Sequence, residues 1–552
     1  MEAKRVFTAL SALTTLASTA LAIPFDSTAG GPAVATVGSG GDYASLAAAA
    51  AAFSAVTPSI EREWTLLITG DLTESSAAYF GNAFGLNGKL IIKPAPATQP
   101  VVRFQIPSAP VGIYGDLVIG LTNGAAPGAT NDRASNGNYV LDGSNAPGGT
   151  SRDLTFMVPP QHDDPMQRVI RIWGDNHGVV IKNLNVLNYD SGLAGHCIGL
   201  AAGSVGGVSK SPKNTLIENC HLHAEPIGSS SGFGVESSTS AYGSMLPPDT
   251  MSITIRGCQI EAKHRGILLT HNDALIEDND VLVTSGTATT FTYTGIATSN
   301  VVTGNLGTLT IRNNRIRLPN IPTTSPGQGA VGIMVDAATS VAVVEVYNNL
   351  IPEMSFSSAL PADLVFRAIS CTPNANASTH YLIEHNSIRA DASTVVTAAT
   401  AGRAAGVSFL ASVSPIGGAQ LRNNLIVFRE ADGNAAAVFL SSGANVGAEG
   451  NDIVSPRAIG RVGPTDYLSF SAWQSAGFDS VASGGQSVDP ALTTPAWDED
   501  LHFAYKPIAG LATVASSTVH TDVDGDPRPA TGALPGADEP VLNAGIADWP
   551  LF

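Results

Sequence analysis

The sequence predicts an all-β fold: a single-stranded right-handed parallel β-helix with an N-terminal cap helix and an irregular C-terminal cap. Three observations carry this. A nine-residue phrase recurs as TLIENCHLH (215–223), ITIRGCQIE (253–261), LIEDNDVLV (275–283), LTIRNNRIR (309–317), VEVYNNLIP (344–352), YLIEHNSIR (381–389) and AQLRNNLIV (419–427). Most spacings are 35–38 residues, with one of 21, and self-similarity at such a period marks a repeat architecture. Between successive phrases lies a second short apolar run, such as RGILLTHN (265–272), YTGIATSN (293–300) or AVGIMVDA (330–337), bounded by Gly, Ser, Asn or Thr. Such runs read as strands, and nothing in 60–460 keeps a 3.6-residue period long enough for a helix.

Each repeat therefore supplies two or three short strands joined by polar turns. Without crossover helices, the coil must close around its own core, each turn pairing with the next at about 4.8 Å and burying what one turn cannot bury alone. Equivalent positions then stack as columns. One column holds Cys220, Cys258, Asn279, Asn314, Asn349, Asn386 and Asn424. A buried Asn at a corner can satisfy turn amides and bond the Asn of the next coil. Cys220 and Cys258 fit the same slot as small buried thiols. A disulfide between them is the alternative, although in-register parallel strands suit its geometry poorly. Cys197 and Cys371 fall inside strand runs and read as core.

The chain order follows. Residues 1–22 resemble a secretory leader: Lys4 and Arg5, an apolar stretch, then Ala20-Leu21-Ala22. This predicts a secreted protein, extracellular or at the cell surface. Residues 23–63 hold an N-terminal segment and the best helix candidate, 36–56, which Asp42 can cap. A helix there can cover the open first coil. The β-helix is expected over 64–460, with a loop-rich insertion at 105–167 around strands at 139–144 and 153–158. Residues 461–552 form a closing segment, with a short amphipathic helix at 467–478. Asp522, Asp524 and Asp526 resemble the start of a calcium loop, but the twelfth position is Ala533, which excludes an EF-hand and leaves a structural turn. Asn376-Ala377-Ser378 is an isolated glycosylation sequon.

Composition narrows the function. Charged residues make up 13% and the formal net charge is −18. Phosphate binding needs clustered Lys and Arg, so nucleic acid is not expected as a partner. No later run of 18 apolar residues suggests a membrane span.

The opening GSGGDYASLAAAAAAF and the closing DVDGDPRPATGALPGADE, with the coils between, resemble secreted bacterial right-handed β-helix proteins of the pectate-lyase-like superfamily. The resemblance covers nearly the whole chain after the leader. It implies this fold, and a fold that hosts lyases, hydrolases, isomerases, esterases and non-catalytic surface proteins. Lyases of that superfamily commonly use Lys, Arg or His, often with Ca²⁺ held by carboxylates. Asp163, Asp164, Asp175 and Asp190 are the candidate oxygen ligands. Neither a paired-Asp hydrolase motif nor the ordered Arg and Asp motifs of pectate lyases is recognisable.

Strand alternation selects the candidate site. With Cys220, Leu222 and Ala224 inside, His221, His223 and Glu225 point outward. One coil later the outward residues are Gln259, Glu261 and Lys263. One coil earlier they are Asn185, Leu187 and Tyr189, and one coil beyond they are Asp280 and Leu282. His264, Arg265, His271 and Asp273 follow within ten residues, and His177 and His196 lie nearby. The candidate catalytic residues are His221, His223, Glu225, Glu261, Lys263 and Arg265: a base, a carboxylate and a cation for acid–base work on a polysaccharide. His221-x-His223 with Glu225 is also a donor set for a transition metal, although alternate outward histidines arise by chance. Later coils read as bland. Two functional expectations result. One is a polysaccharide lyase or glycosidase acting on a polysaccharide or cell-surface glycan. The other is a non-catalytic surface or structural β-helix: an adhesin, surface-layer or fibre component.

Overall fold

The computed structural model describes residues 25–106, most of 115–488, and 517–538 except 530–532. Within them the chain winds through three long sheets as a parallel β-helix. The first sheet has 13 strands, from Ala33–Val37 to Val446–Glu449. The second has 12, from Leu72–Glu74 to Asp452–Val454, and the third has 13, from Ala78–Phe80 to Thr465–Tyr467. Neighbouring strands in these sheets pair in parallel, except for the closing hairpin of Gly460–Val462 with Thr465–Tyr467.

Register makes the core. In the first sheet Ile217, Ile255, Ile276, Ile311, Val346, Ile383 and Leu421 are successive partners, and all are fully buried. Each such aliphatic side chain contributes about 1.5–3 kcal/mol by leaving water. The third sheet adds a tight column of small residues. At Gly295 a Cβ would come within 2.3 Å of Ile316 Cγ2 and 2.7 Å of the Gly332 carbonyl oxygen. The short apolar runs carry glycine there because the next coil's backbone occupies the space.

The polar corner between the first and second sheets has two parts. The residue before each ladder position has positive φ: Asn219, Gly257, Asp278, Asn313, Asn348, His385, Asn423 and Gly450. This explains the Asn-Asn doublets, since Asn, Asp and Gly tolerate the left-handed region best. The ladder residue itself turns inward. Asn314 donates both its backbone N–H and its Nδ2 to Asn349 Oδ1, at 3.1 and 3.0 Å. Asn349 does the same to Asn386, Asn386 to Asn424, and Asn424 to Asn451. The second Nδ2 hydrogen goes to backbone carbonyls, as from Asn314 to Ile276 and Arg312. Cys220 and Cys258 are free and buried. Their sulfurs lie 3.3 Å from the Glu218 and Arg256 carbonyls, the same two-residues-back contact that Asn314 makes. Burial holds the Cys220 thiol well above its usual range.

The ends differ from expectation in detail. The helix is Leu46–Ser54, capped by Ser45 and not by Asp42. Asp42 instead binds the backbone N–H and hydroxyl of Thr36, and residues 33–37 are already a strand. The helix still covers the first coil. Leu46, Ala49, Ala50 and Phe53 are buried, and the buried Glu74 accepts from the N–H groups of Leu46 and Ala47, where the helix dipole favours a carboxylate. Within 105–167 three described strands continue the coil. Leu117–Ile119, Tyr139–Asp142 and Leu154–Val158 enter the third, first and second sheets in register. The latter two are the strands expected at 139–144 and 153–158.

At the other end, the helix Phe470–Ser475 lies within the expected 467–478 and buries Trp473. The described part of the 517–538 segment does not cover the last coil. It straps back along the corner: Asn348 Nδ2 donates to Thr521 O, Gly536 N to Asn423 O, and Ala537 N to Ser387 Oγ. Asp522 Oδ1 accepts from the N–H groups of Asp524 and Asp526, which makes DVDGDP a structural turn.

Candidate functional site

Two outward columns of the second sheet form the candidate surface. One runs Asn185, His221, Gln259, Asp280, Arg315 in register. The other runs Leu187, His223, Glu261, Leu282, Arg317, Glu353. Leu222 and Ala224 are fully buried between them, so the alternation places His221 and His223 outward as expected.

His223 is the hub. Its Nδ1 lies 2.9 Å from Glu261 Oε2, and its Nε2 lies 3.0 Å from Glu225 Oε2. The Tyr189 ring sits 5.3 Å from the imidazole. Burial, with the charge of Glu225, raises the Tyr189 phenol. His221 Nε2 is buried, makes no hydrogen bond among the described residues, and lies 3.8 Å from Glu261 Oε1. Burial lowers its basicity more than Glu261 restores it. Gln259 Nε2 donates to Glu261 Oε1 at 2.9 Å. Lys263 turns aside and donates its Nζ to the Pro226 carbonyl at 2.8 Å.

Five of the six candidates thus share one neighbourhood, and Arg265 does not. It begins the third-sheet strand Arg265–Leu269, beyond a corner, where its guanidinium lies 5.5 Å over the Phe233 ring. There it joins a buried network. Arg168 pairs with Glu236 through Nε at 3.1 Å and through NH2, and His196 Nδ1 lies 3.0 Å from Glu236 Oε2. Burial pushes the Glu236 carboxyl up, but Arg168 and His196 outweigh it and hold it well below the usual range. His264 is also buried, its ring packed near Phe233 and Tyr293. Alternation fails at 263–265 because the chain turns the corner into the next sheet, so outwardness on one face does not carry over.

His271, Asp163 and Asp164 lie outside the described residues, as does Asn376. Asp175 pairs with His177 at 2.6 Å, and Asp190 is buried. Neither joins a three-ligand group among the described residues. The group that forms there is His221, His223 and Glu261, whose ligand atoms all lie within 4.8 Å of one another. Glu261, from the next coil, stands where the sequence suggested Glu225.

The later coils are not bland. Arg315, Arg317 and Arg389 line an open cavity of about 470 Å³ with Glu353, Met354 and Ser355. Asp280 pairs with Arg317 through both its oxygens at 3.1 Å. Asp280 and Glu353 face these guanidiniums. The same column rule could have found it. Arg315 and Arg317 occupy the two outward positions of LTIRNNRIR, as His221 and His223 do in TLIENCHLH. By strand spacing the arginines begin three coils, about 14 Å, beyond the histidines.

No helix among the described residues is long and apolar enough to cross a membrane. No family model matches the chain, and no curated protein matches it in sequence. The crystal structure of PfbA, a surface adhesin of Streptococcus pneumoniae, is similar over 62% of this chain and 80% of that one, with 12% identity and a TM-score of 0.35.

Proposed function

We propose that this protein is an extracellular β-helix that binds an acidic polysaccharide along the outer face of its second sheet, without cleaving it. The observation that carries this reading is the arginine-lined cavity on the same outward columns as the His–Glu cluster. Arginine matches a carboxylate or sulfate bidentately. A row of coils about 4.8 Å apart offers a linear polymer a repeating track. The extracellular setting rests on the leader-like residues 1–22.

Binding fits better than cleavage because of His223. Both its ring nitrogens face carboxylate oxygens, which accept and do not donate. With Glu261 at 2.9 Å and Glu225 at 3.0 Å, neither ring nitrogen stands open toward a substrate. Tyr189 beside that ring keeps the lyase reading open to test.

Titration calorimetry with a polyuronate and a neutral glucan tests the proposal. The polyuronate is expected to bind, to weaken steeply with salt, and to bind at least tenfold more weakly to Arg317→Ala and Arg389→Ala. Equal binding of the neutral glucan, or unchanged binding by both variants, overturns it. Growth of unsaturated-product absorbance on incubation with polyuronate replaces binding with lyase activity.

A further inference from the structure

We infer that His221, His223 and Glu261 form a binding site for one divalent transition metal ion of the zinc class. The inference is independent of the glycan reading and uses no arginine.

The donor set is two imidazoles and one carboxylate, the mixture that zinc and its neighbours accept and that calcium, which takes oxygen ligands, does not. The positions follow from the fold. His221 and His223 are alternate residues of one strand, so both face outward. Glu261 is the register partner of His223 on the next coil. No loop is needed to bring the three together.

The distances are close to those a metal requires. Ligand atoms of a tetrahedral zinc ion lie about 3.4 Å apart, given bonds of about 2.0–2.1 Å. Glu261 oxygens already stand 2.9 Å from His223 Nδ1 and 3.8 Å from His221 Nε2. Side-chain adjustments of about an ångström would close the set.

Two further features point to a ligand. His221 Nε2 is a buried nitrogen whose neighbour Glu261 Oε1 lies 3.8 Å away, beyond hydrogen-bond length, and a buried polar atom short of a hydrogen bond is costly. A metal ion supplies the partner. His223 is also arranged as a metal ligand commonly is: with Nδ1 toward the proposed ion, its Nε2–H is directed to Glu225 at 3.0 Å. Carboxylates behind ligating histidines fix the tautomer and raise ligand basicity. Gln259 orients Glu261 from the side. Three protein ligands on a half-exposed face leave a fourth position open to water or to an incoming anion.

The test uses the full chain without a histidine tag, stripped with chelator and titrated with Zn²⁺ alone. One equivalent is expected to bind, with a rise in Tm. Co²⁺ in its place is expected to give the visible bands of a four-coordinate site. His221→Ala and Glu261→Gln are each expected to weaken Zn²⁺ at least tenfold while keeping the metal-free Tm within a few degrees. His177→Ala, outside the group, is expected to bind as the parent does. Affinity should fall with falling pH, as protons compete with the metal for its ligands. Absence of stoichiometric Zn²⁺ binding, or undiminished binding by both variants, overturns the inference.

Discussion

Asn451 donates both its backbone N–H and its Nδ2 to one oxygen of Asp479, at 2.9 and 2.8 Å. The second oxygen of Asp479 accepts from the Trp473 indole at 2.9 Å. The ladder runs with one polarity, every coil donating to the next, so the last rung needs an acceptor and no donor. A carboxylate supplies it, and the helix that buries Trp473 closes the stack over it.

Burial raises Asp479 from the ordinary 3.8 to about 6, against the opposing bonds from Trp473 and Asn451. The folded protein therefore holds a proton that the unfolded chain releases between these values. Stability is expected to fall as pH rises through that window, by about 3 kcal/mol at most. Asp479→Asn keeps an oxygen for Asn451 but turns an amide toward the indole N–H, costing about 1–2 kcal/mol. It should flatten the slope between pH 4 and 6. Urea denaturation across that range checks it, and an unchanged slope would contradict the assignment.

Within the ladder, Asn349→Ala removes the acceptor for two buried donors of Asn314. The expected cost is about 2–6 kcal/mol, from about 1–3 kcal/mol for each stranded donor. Asn279→Cys should cost less than Asn279→Ala, because Cys220 N already lies 3.5 Å from Cys258 Sγ in the same arrangement. Hydrogen exchange at the neighbouring corners separates the two outcomes.

The Arg168–Glu236 pair predicts the opposite pH behaviour. Glu236 is held below its ordinary 4.5 in the fold, so its contribution is present above that pH and is lost as pH falls through the lowered value. Glu236→Met strands buried guanidinium charge and should cost about 3–5 kcal/mol at pH 7. The double variant with Arg168→Met should lose less than that single change. Denaturation of the three variants decides, and an additive double loss would reject the pairing.

The architecture was legible in the sequence because a β-helix repeats its constraints. Each coil must present apolar residues inward at alternate positions and an acceptor at the same corner, so the phrase returns with each turn. Asn314, Asn349, Asn386 and Asn424 were readable as one column for that reason. So was the outward pairing of His221 with His223, because alternation is local. What the sequence could not place depends on which sheet a residue joins. Arg265 stands two positions from Lys263 yet belongs to another face, since a corner lies between them. Glu261 displaced Glu225 as the third partner of the histidines because neighbours across coils are 38 residues apart in the chain and one strand apart in space. Asp479 carried no phrase around it, and only the stacked ladder made it the terminal acceptor. Local alternation and repetition are written along the chain. Charge pairing across coils and around corners is decided by register and closure.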